Sequence, residues 1–261
     1  MFDINPFAEL SQSISPAIMQ GFVIVMALCV AGGTLFDIIH KGSAKYFFGL
    51  VKKGAANKSR EIPFTEKVSV VAQTTAHDVL ASGEFCNVRR RIAHLLTMYG
   101  FLAYVISTAV LVFSYPTSAS PAPTILVNVW WIGLVMLAVG CYWFWFFIRV
   151  DVAAEGNSPF RMVRADLFVV ALMVSASFAI IWAYLQVTSN FWSTFALGLY
   201  LLSTTALFGT VIWSKFSHMF FKPAAAYQKN MSKADGGRRN LPAPSQKPSI
   251  YGKVQRHSHH Y

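Results

Sequence analysis

Charged residues are scarce in this chain. Only 13% of its 261 residues are Asp, Glu, Lys or Arg, whereas soluble domains carry roughly 25%. Hydrophobic residues make up 55% of the sequence and aromatic residues 15%. This composition excludes an ordinary soluble domain and indicates an integral membrane protein.

Cysteine is also scarce, and motifs of soluble enzymes are missing. Cys29, Cys86 and Cys141 are too few for an iron–sulfur cluster, which takes about four ligands, and no pair has metal-site spacing. The sequence has no nucleotide-binding glycine loop and no nucleophile motif. Residues 1–15 contain no Lys or Arg, unlike the start of a signal peptide, and we expect them to form an external N-terminal segment.

Five apolar runs are each long enough to cross a hydrocarbon core, which takes about 20 residues. They predict an all-α membrane domain over residues 16–222, with the fifth helix continuing to about Phe220. The runs cover approximately residues 16–39, 92–115, 125–148, 166–187 and 191–213.

The basic residues are distributed unevenly between the connecting segments. Of the 22 Lys and Arg residues, ten lie in segment 40–91, three in loop 149–165 and nine from residue 215 onward. Cytoplasmic segments of membrane proteins are enriched in these residues. The pattern predicts an external N-terminus and a cytoplasmic C-terminus, and it explains the net charge of +11 without nucleic-acid binding.

Two polar segments accompany the membrane domain. Within loop 40–91, an amphipathic helix is predicted at about 65–80, because Val68, Val71, Ala72, Thr75 and Val79 share one face at helical spacing. That face suits either the membrane surface or a partner protein. The tail, residues 223–261, is polar and is expected to be disordered.

Two histidines are candidates for haem ligation. His94 lies near the start of the second apolar helix and His218 near the end of the fifth, so both would lie just inside the cytoplasmic face. Facing imidazoles on neighbouring helices can supply both axial ligands of a haem. Arg90, Arg91 and Lys215 are candidates to bind its propionates. Alternatively, the histidines bond to backbone carbonyls or lipid headgroups at the interface.

These two regions resemble the haem-b membrane subunits of respiratory nitrate reductase, heterodisulfide reductase and the quinone-interacting oxidoreductase complex. The similarity lies in the sequences RRRIAHLLTMYGF at 89–101 and SKFSHMFFKP at 214–223. The resemblance implies five helices with the N-terminus outside, and haem ligation by His94 and His218.

The sequence departs from the two-haem members of that family. Where they carry a second histidine on each of these helices, this chain has Tyr104 and Tyr200. The resemblance therefore implies one cytoplasmic haem b and the loss of the outer one. In a continuous fifth helix Tyr200 would share a face with His218, about 27 Å away. The tyrosines either fill the vacated space or bond to a quinone.

A narrower resemblance, at residues 32–41 and 220–223, is to the membrane anchor of adenylylsulfate reductase. It implies an electron-transfer subunit in the bacterial cytoplasmic membrane. Such a subunit links a cytoplasmic iron–sulfur/flavin enzyme to the quinone pool.

One further residue is a candidate for quinone chemistry. His40 lies beside Lys41 at the cytoplasmic end of the first helix and is a candidate proton donor to a quinone.

Two other functions stay open for this protein. The alternatives are a cofactor-free anchor that only recruits the soluble enzyme, and a small transporter. The transporter is less favoured, because the sequence lacks repeated halves and pairs of broken helices.

Overall fold

A computed structural model describes residues 2–40, 43–56, 58–85, 87–149, 162, 166–213 and 218–237. Within these ranges the chain is helical and forms no β-strand. Four helices in the described part are long and apolar enough to cross a membrane, which indicates a multi-pass membrane protein. They are Pro16–His40, Val88–Ser114, Thr124–Ile148 and Leu167–Val187.

The described helices are numbered in chain order. The α-helices are α1 (Pro6–Leu10), α2 (Pro16–His40), α3 (Ser43–Ala56), α4 (Phe64–Gln73), α5 (Val88–Ser114), α6 (Thr124–Trp143), α7 (Leu167–Val187), α8 (Ser193–Gly209) and α9 (His218–Ala234). Helices α4 and α6 continue directly into the π-helices Thr74–Leu80 and Phe144–Ile148. Helix α4 and its π-helix together are called the loop helix (Phe64–Leu80).

The closest helix pair is α5 and α6, which run antiparallel. A Cβ added to Gly133 would lie 2.7 Å from the backbone nitrogen of Tyr104, and one added to Gly100 would lie 2.5 Å from that of Leu137. In lipid, helices associate through close packing, and small residues let their backbones approach. These glycines therefore fix the separation of α5 and α6.

The fifth apolar helix is shorter than the sequence predicts. Helix α8 ends at Gly209, and a turn follows in which Trp213 N donates to Thr210 O. Glycine favours a helix end, and the Thr210 hydroxyl bonds to the carbonyl of Ala206 (2.6 Å). The predicted continuation to Phe220 is therefore wrong, and so is the argument that Tyr200 and His218 share one helical face.

The short helix α1 closes one end of the bundle, called here the N-terminal end. The Asn5 side chain accepts from Phe7 N (3.0 Å) and donates to Tyr115 O (2.8 Å), which ties α1 to the end of α5. The ring of Phe7 lies between Trp130 (5.8 Å between centroids) and Trp182 (5.2 Å). The segment expected only to precede the membrane domain thus contributes to its core.

At the opposite end, called here the basic end, α3, the loop helix and α9 pack together. The loop helix coincides closely with the predicted range 65–80, whereas α3 was not predicted. Residues 223–234 were expected to be disordered but belong to α9. Three consecutive alanines from Ala224 favour a helix, and packing against the loop helix stabilises it. The rest of the predicted tail, from residue 238, lies outside the described residues.

A buried ion pair connects α6 to α7 at the basic end. The Arg149 guanidinium donates to both carboxylate oxygens of Asp166, at 3.0 and 2.5 Å, and its side chain is 6% exposed. It also lies 4.1 Å from the ring centroid of Trp145. Bidentate geometry and the aromatic face offset the cost of burying the two charges.

Gly133→Ala tests the helix contact. The added methyl group has no space beside the Tyr104 backbone, so we expect a loss of about 1–3 kcal/mol and a lower melting temperature. Gly198→Ala is the control, because a Cβ there meets nothing within 4 Å. Thermal unfolding in detergent, followed by tryptophan fluorescence, measures both. Equal melting temperatures would contradict the proposed role of Gly133.

Candidate functional site

His94 lies at the basic end of α5 and is half-buried. Asn87 starts this helix, because its side-chain oxygen accepts from the backbone N–H of Arg89 (2.9 Å). His94 follows two turns later, and its Nδ1 is 3.0 Å from the hydroxyl of Ser82. The Phe85 ring lies 4.9 Å from the imidazole. One nitrogen of His94 is thus oriented by a protein side chain.

Ser82 is the contact that the sequence analysis missed. It is 2% exposed and has a φ of 50°, a left-handed conformation that is uncommon for serine. The next residue, Gly83, donates its N–H to His77 O (2.7 Å), which closes the turn after the loop helix. The only sequence signal was the Ser-Gly pair, which marks a turn but not its neighbour.

The three cationic residues predicted to bind haem propionates differ in their surroundings. Arg91 donates through Nε to Ala81 O (2.7 Å), which fixes the turn beside His94. Arg90 is exposed. Lys215 lies outside the described residues. His218 begins α9, but its side chain is also outside them. The structure therefore describes the His94 half of the predicted pair and gives no distance between the two imidazoles.

Helix α9 is held to the loop helix by a polar contact. The Asn230 side chain donates to Thr74 Oγ1 (2.9 Å) and to Asp78 Oδ2 (2.6 Å). On Asp78, the hydrogen bond from His77 has the largest effect and lowers the pKa of the carboxyl group. Burial opposes this shift, whereas the Asn230 bond reinforces it.

Two further links attach both ends of α9. Lys229 Nζ is 3.3 Å and Lys222 Nζ 3.9 Å from the carboxylate of Glu84, in the turn that carries Ser82. At the other end, Ser59 N and Arg60 Nε donate to Asp235 O and Ala234 O. The contacts of Glu84 join α9 to the turn that carries Ser82, although 145 residues separate Glu84 from Lys229.

His40 lies on a different helix from His94, and its ring contacts a residue of its own helix. It is exposed at the end of α2 and stacks on Phe36, with ring centroids 4.7 Å apart. Asp37, which precedes it by one turn, is buried. The two side chains thus occupy different environments. His40 is on the part of α2 that faces away from the protein.

The structure brings Tyr104 and Tyr200 together in the interior of the bundle. Their hydroxyl oxygens are 2.5 Å apart, and both residues are buried. Trp182 stacks on Tyr200 at 5.4 Å, and Trp130 packs against Tyr104 at 5.7 Å. The resemblance placed these tyrosines at corresponding sites on two helices. Their mutual bond and aromatic contacts make both tyrosines part of the packed core.

The described residues contain no group of three or more His, Cys, Asp or Glu side chains that could hold a metal ion. A haem needs only two axial ligands from the protein, so this observation does not bear on haem binding.

Comparison with known proteins found no matching protein family, no similar curated protein and no similar solved structure.

The lowered pKa of Asp78 predicts a pH dependence. A carboxylate with a lowered folded-state pKa stabilises the fold above its ordinary value of 3.8, and this contribution is lost as pH falls through the folded-state pKa. We expect the difference in melting temperature between the wild type and Asp78→Asn to be largest near neutral pH. It should shrink as the pH is lowered below about 4. Melting curves in detergent from pH 3 to 7 measure it; a constant difference would contradict the prediction.

Proposed function

We propose that this protein is the membrane anchor and electron-transfer subunit of a respiratory redox complex in the bacterial cytoplasmic membrane. In this proposal the N-terminal end faces outward, and the basic end faces a cytoplasmic iron–sulfur/flavin enzyme. That enzyme is of the adenylylsulfate reductase type, as the narrower resemblance implies. The observation that carries the proposal is the orientation of His94 by Ser82 at the basic end.

The surroundings of His94 suit an axial haem ligand. A metal-bound histidine generally donates its second ring N–H to a protein acceptor, which fixes the ring. Ser82 Oγ, 3.0 Å from Nδ1, can be that acceptor, and iron would then be bound through Nε2. His218 is the proposed second ligand. A haem b bound by these histidines would supply reversible one-electron transfer.

The cations at the basic end can serve a haem in two ways. Arg90 and Lys215 are the proposed partners of the propionates. Arg91 already uses Nε to hold Ala81 O, but a guanidinium has further N–H groups to offer a carboxylate. Arg91 would thus both fix the Ser82 turn and bind a propionate.

A single haem is proposed because the interior of the N-terminal end is filled. Trp130 and Trp182 pack against the bonded Tyr104–Tyr200 pair, and Phe7 packs against both tryptophans. For the quinone, exposed His40 is the proposed proton donor, since a quinone diffuses in the lipid that α2 faces.

The alternative is a cofactor-free anchor, and one observation favours it. The His94 imidazole already contacts Ser82 and Phe85, as expected of a histidine that only links two segments. In that case the layer of α3, the loop helix and α9 would serve to recruit a soluble enzyme.

The haem assignment predicts the spectra of two variants. Purified wild-type protein should contain about one b-type haem per chain, because the two ligands define one site. His94→Ala and His218→Ala should each lose the bis-histidine absorption in reduced-minus-oxidised spectra. His77→Ala is the control, because its side chain is 63% exposed. Folded wild-type protein without haem would leave the cofactor-free anchor.

Ser82→Ala separates orientation of the ligand from ligation itself. Loss of the hydrogen bond that orients a metal-bound histidine typically weakens metal binding by about 10–100-fold, although the ligands themselves remain. We expect Ser82→Ala to retain a bis-histidine spectrum but to lose haem faster than the wild type to a haem-accepting protein. Ser69→Ala, on the exposed part of the loop helix, is the control. Equal rates for all three proteins would contradict the role of Ser82.

A further inference from the structure

The loop helix exposes a row of apolar side chains, whereas two of its polar side chains bond to another helix. Phe64, Val68 and Val71 are 79%, 50% and 46% exposed and recur along one face at helical spacing. In contrast, Thr74 and Asp78 bond to Asn230 on α9. A helix on a soluble surface normally buries its apolar face. The exposed residues Phe64, Val68 and Val71, called here the apolar stripe, therefore require an apolar environment outside the described fold.

One end of the loop helix is fixed against a membrane-spanning helix. The last carbonyls of a helix have no partner within it, and here two side chains of α5 bind those near its end. The Tyr99 hydroxyl donates to Leu80 O (2.8 Å), and Arg91 Nε donates to Ala81 O (2.7 Å). The loop helix thus ends between the first and fourth turns of α5.

Helix α5 begins outside the hydrocarbon core, because Arg89, Arg90 and Arg91 lie in its first turn. Its 27 residues span about 40 Å, whereas the hydrocarbon core is about 30 Å thick, so about 10 Å of helix lies outside the core. Helical side chains point back toward the N-terminus of their helix. The Tyr99 hydroxyl is therefore directed from the fourth turn toward the basic end.

Exposed apolar side chains lie on both sides of the junction between the loop helix and α5. Tyr99, which binds Leu80, is itself 40% exposed, and Ile92 and Leu102 on α5 are 40% and 43% exposed. Leu80 is 49% exposed at the junction. Exposed apolar side chains thus extend from the spanning helix onto the loop helix, as expected where a chain turns from the hydrocarbon core into the interface.

The charge of the surrounding chain suits a lipid surface. Segment 40–91 contains ten Lys and Arg residues and four Asp and Glu residues. Lys67 on the loop helix and both Lys45 and Lys52 on α3 are exposed. Anionic headgroups attract such residues when they lie beside an embedded apolar face.

We propose that the loop helix lies along the membrane surface at the basic end, with its apolar stripe inserted among the lipids. The occupant of the stripe is thus the bilayer, with a preference for anionic headgroups. Because Thr74 and Asp78 of the same helix bond to Asn230 on α9, this contact would also hold α9 at a fixed height above the membrane. The proposal does not depend on haem binding.

Spin-label accessibility in lipid nanodiscs tests the proposal on the full chain. Labels are attached at Val68→Cys and Val71→Cys in the stripe, and at Ser69→Cys and Gln73→Cys as matched controls on the same helix. All four positions are exposed, so the substitutions should not disturb packing. Labelled wild-type protein supplies the background signal of the native cysteines.

Lipid contact predicts that the stripe labels are several-fold more accessible to oxygen than to a water-soluble nickel complex. The control labels should show the opposite preference, because oxygen concentrates in the bilayer and the complex stays in water. Anionic lipids should increase the difference. High accessibility of the stripe to the nickel complex would overturn the proposal. Protection from both reagents would also overturn it, in favour of a protein partner.

Discussion

The contact between α5 and α6 is the interaction on which most of the described structure depends. Without a hydrophobic driving force in lipid, two helices stay together through packing of their backbones. Gly100 and Gly133 make this approach possible, since a methyl group on either would collide with the opposite backbone. The close packing of the two backbones also brings Trp130 on α6 into contact with Thr108 and Tyr104 on α5. It thereby supports the helix that carries His94.

The two ends of the bundle are built from different interactions. At the N-terminal end, aromatic rings from α1, α5, α6, α7 and α8 fill the interior, and the Tyr104–Tyr200 bond satisfies two hydroxyls there. At the basic end, polar bonds connect segments far apart in sequence. This division restricts the proposed redox chemistry to the basic end, where titratable side chains can reach both water and lipid.

The basic end also explains how a membrane protein of this size can present a folded surface outside the bilayer. Asn230 and Glu84 link α9 to the loop helix and to the Ser82 turn, while Tyr99 and Arg91 link the same segment to α5. The proposed soluble enzyme, docked on this layer, would contact elements that are linked to His94 through the Ser82 turn. The proposed insertion of the apolar stripe would fix that layer from the lipid side.

The sequence by itself determined the membrane class, the apolar helices and the amphipathic loop helix, because these depend on composition and local periodicity. Only the tertiary structure decided that α8 stops at Gly209, that α9 is ordered to Ala234 and that Ser82 orients His94. Each of these depends on partners distant in the chain or on a turn conformation. Local sequence preferences are too weak to specify either, and packing supplies the missing free energy.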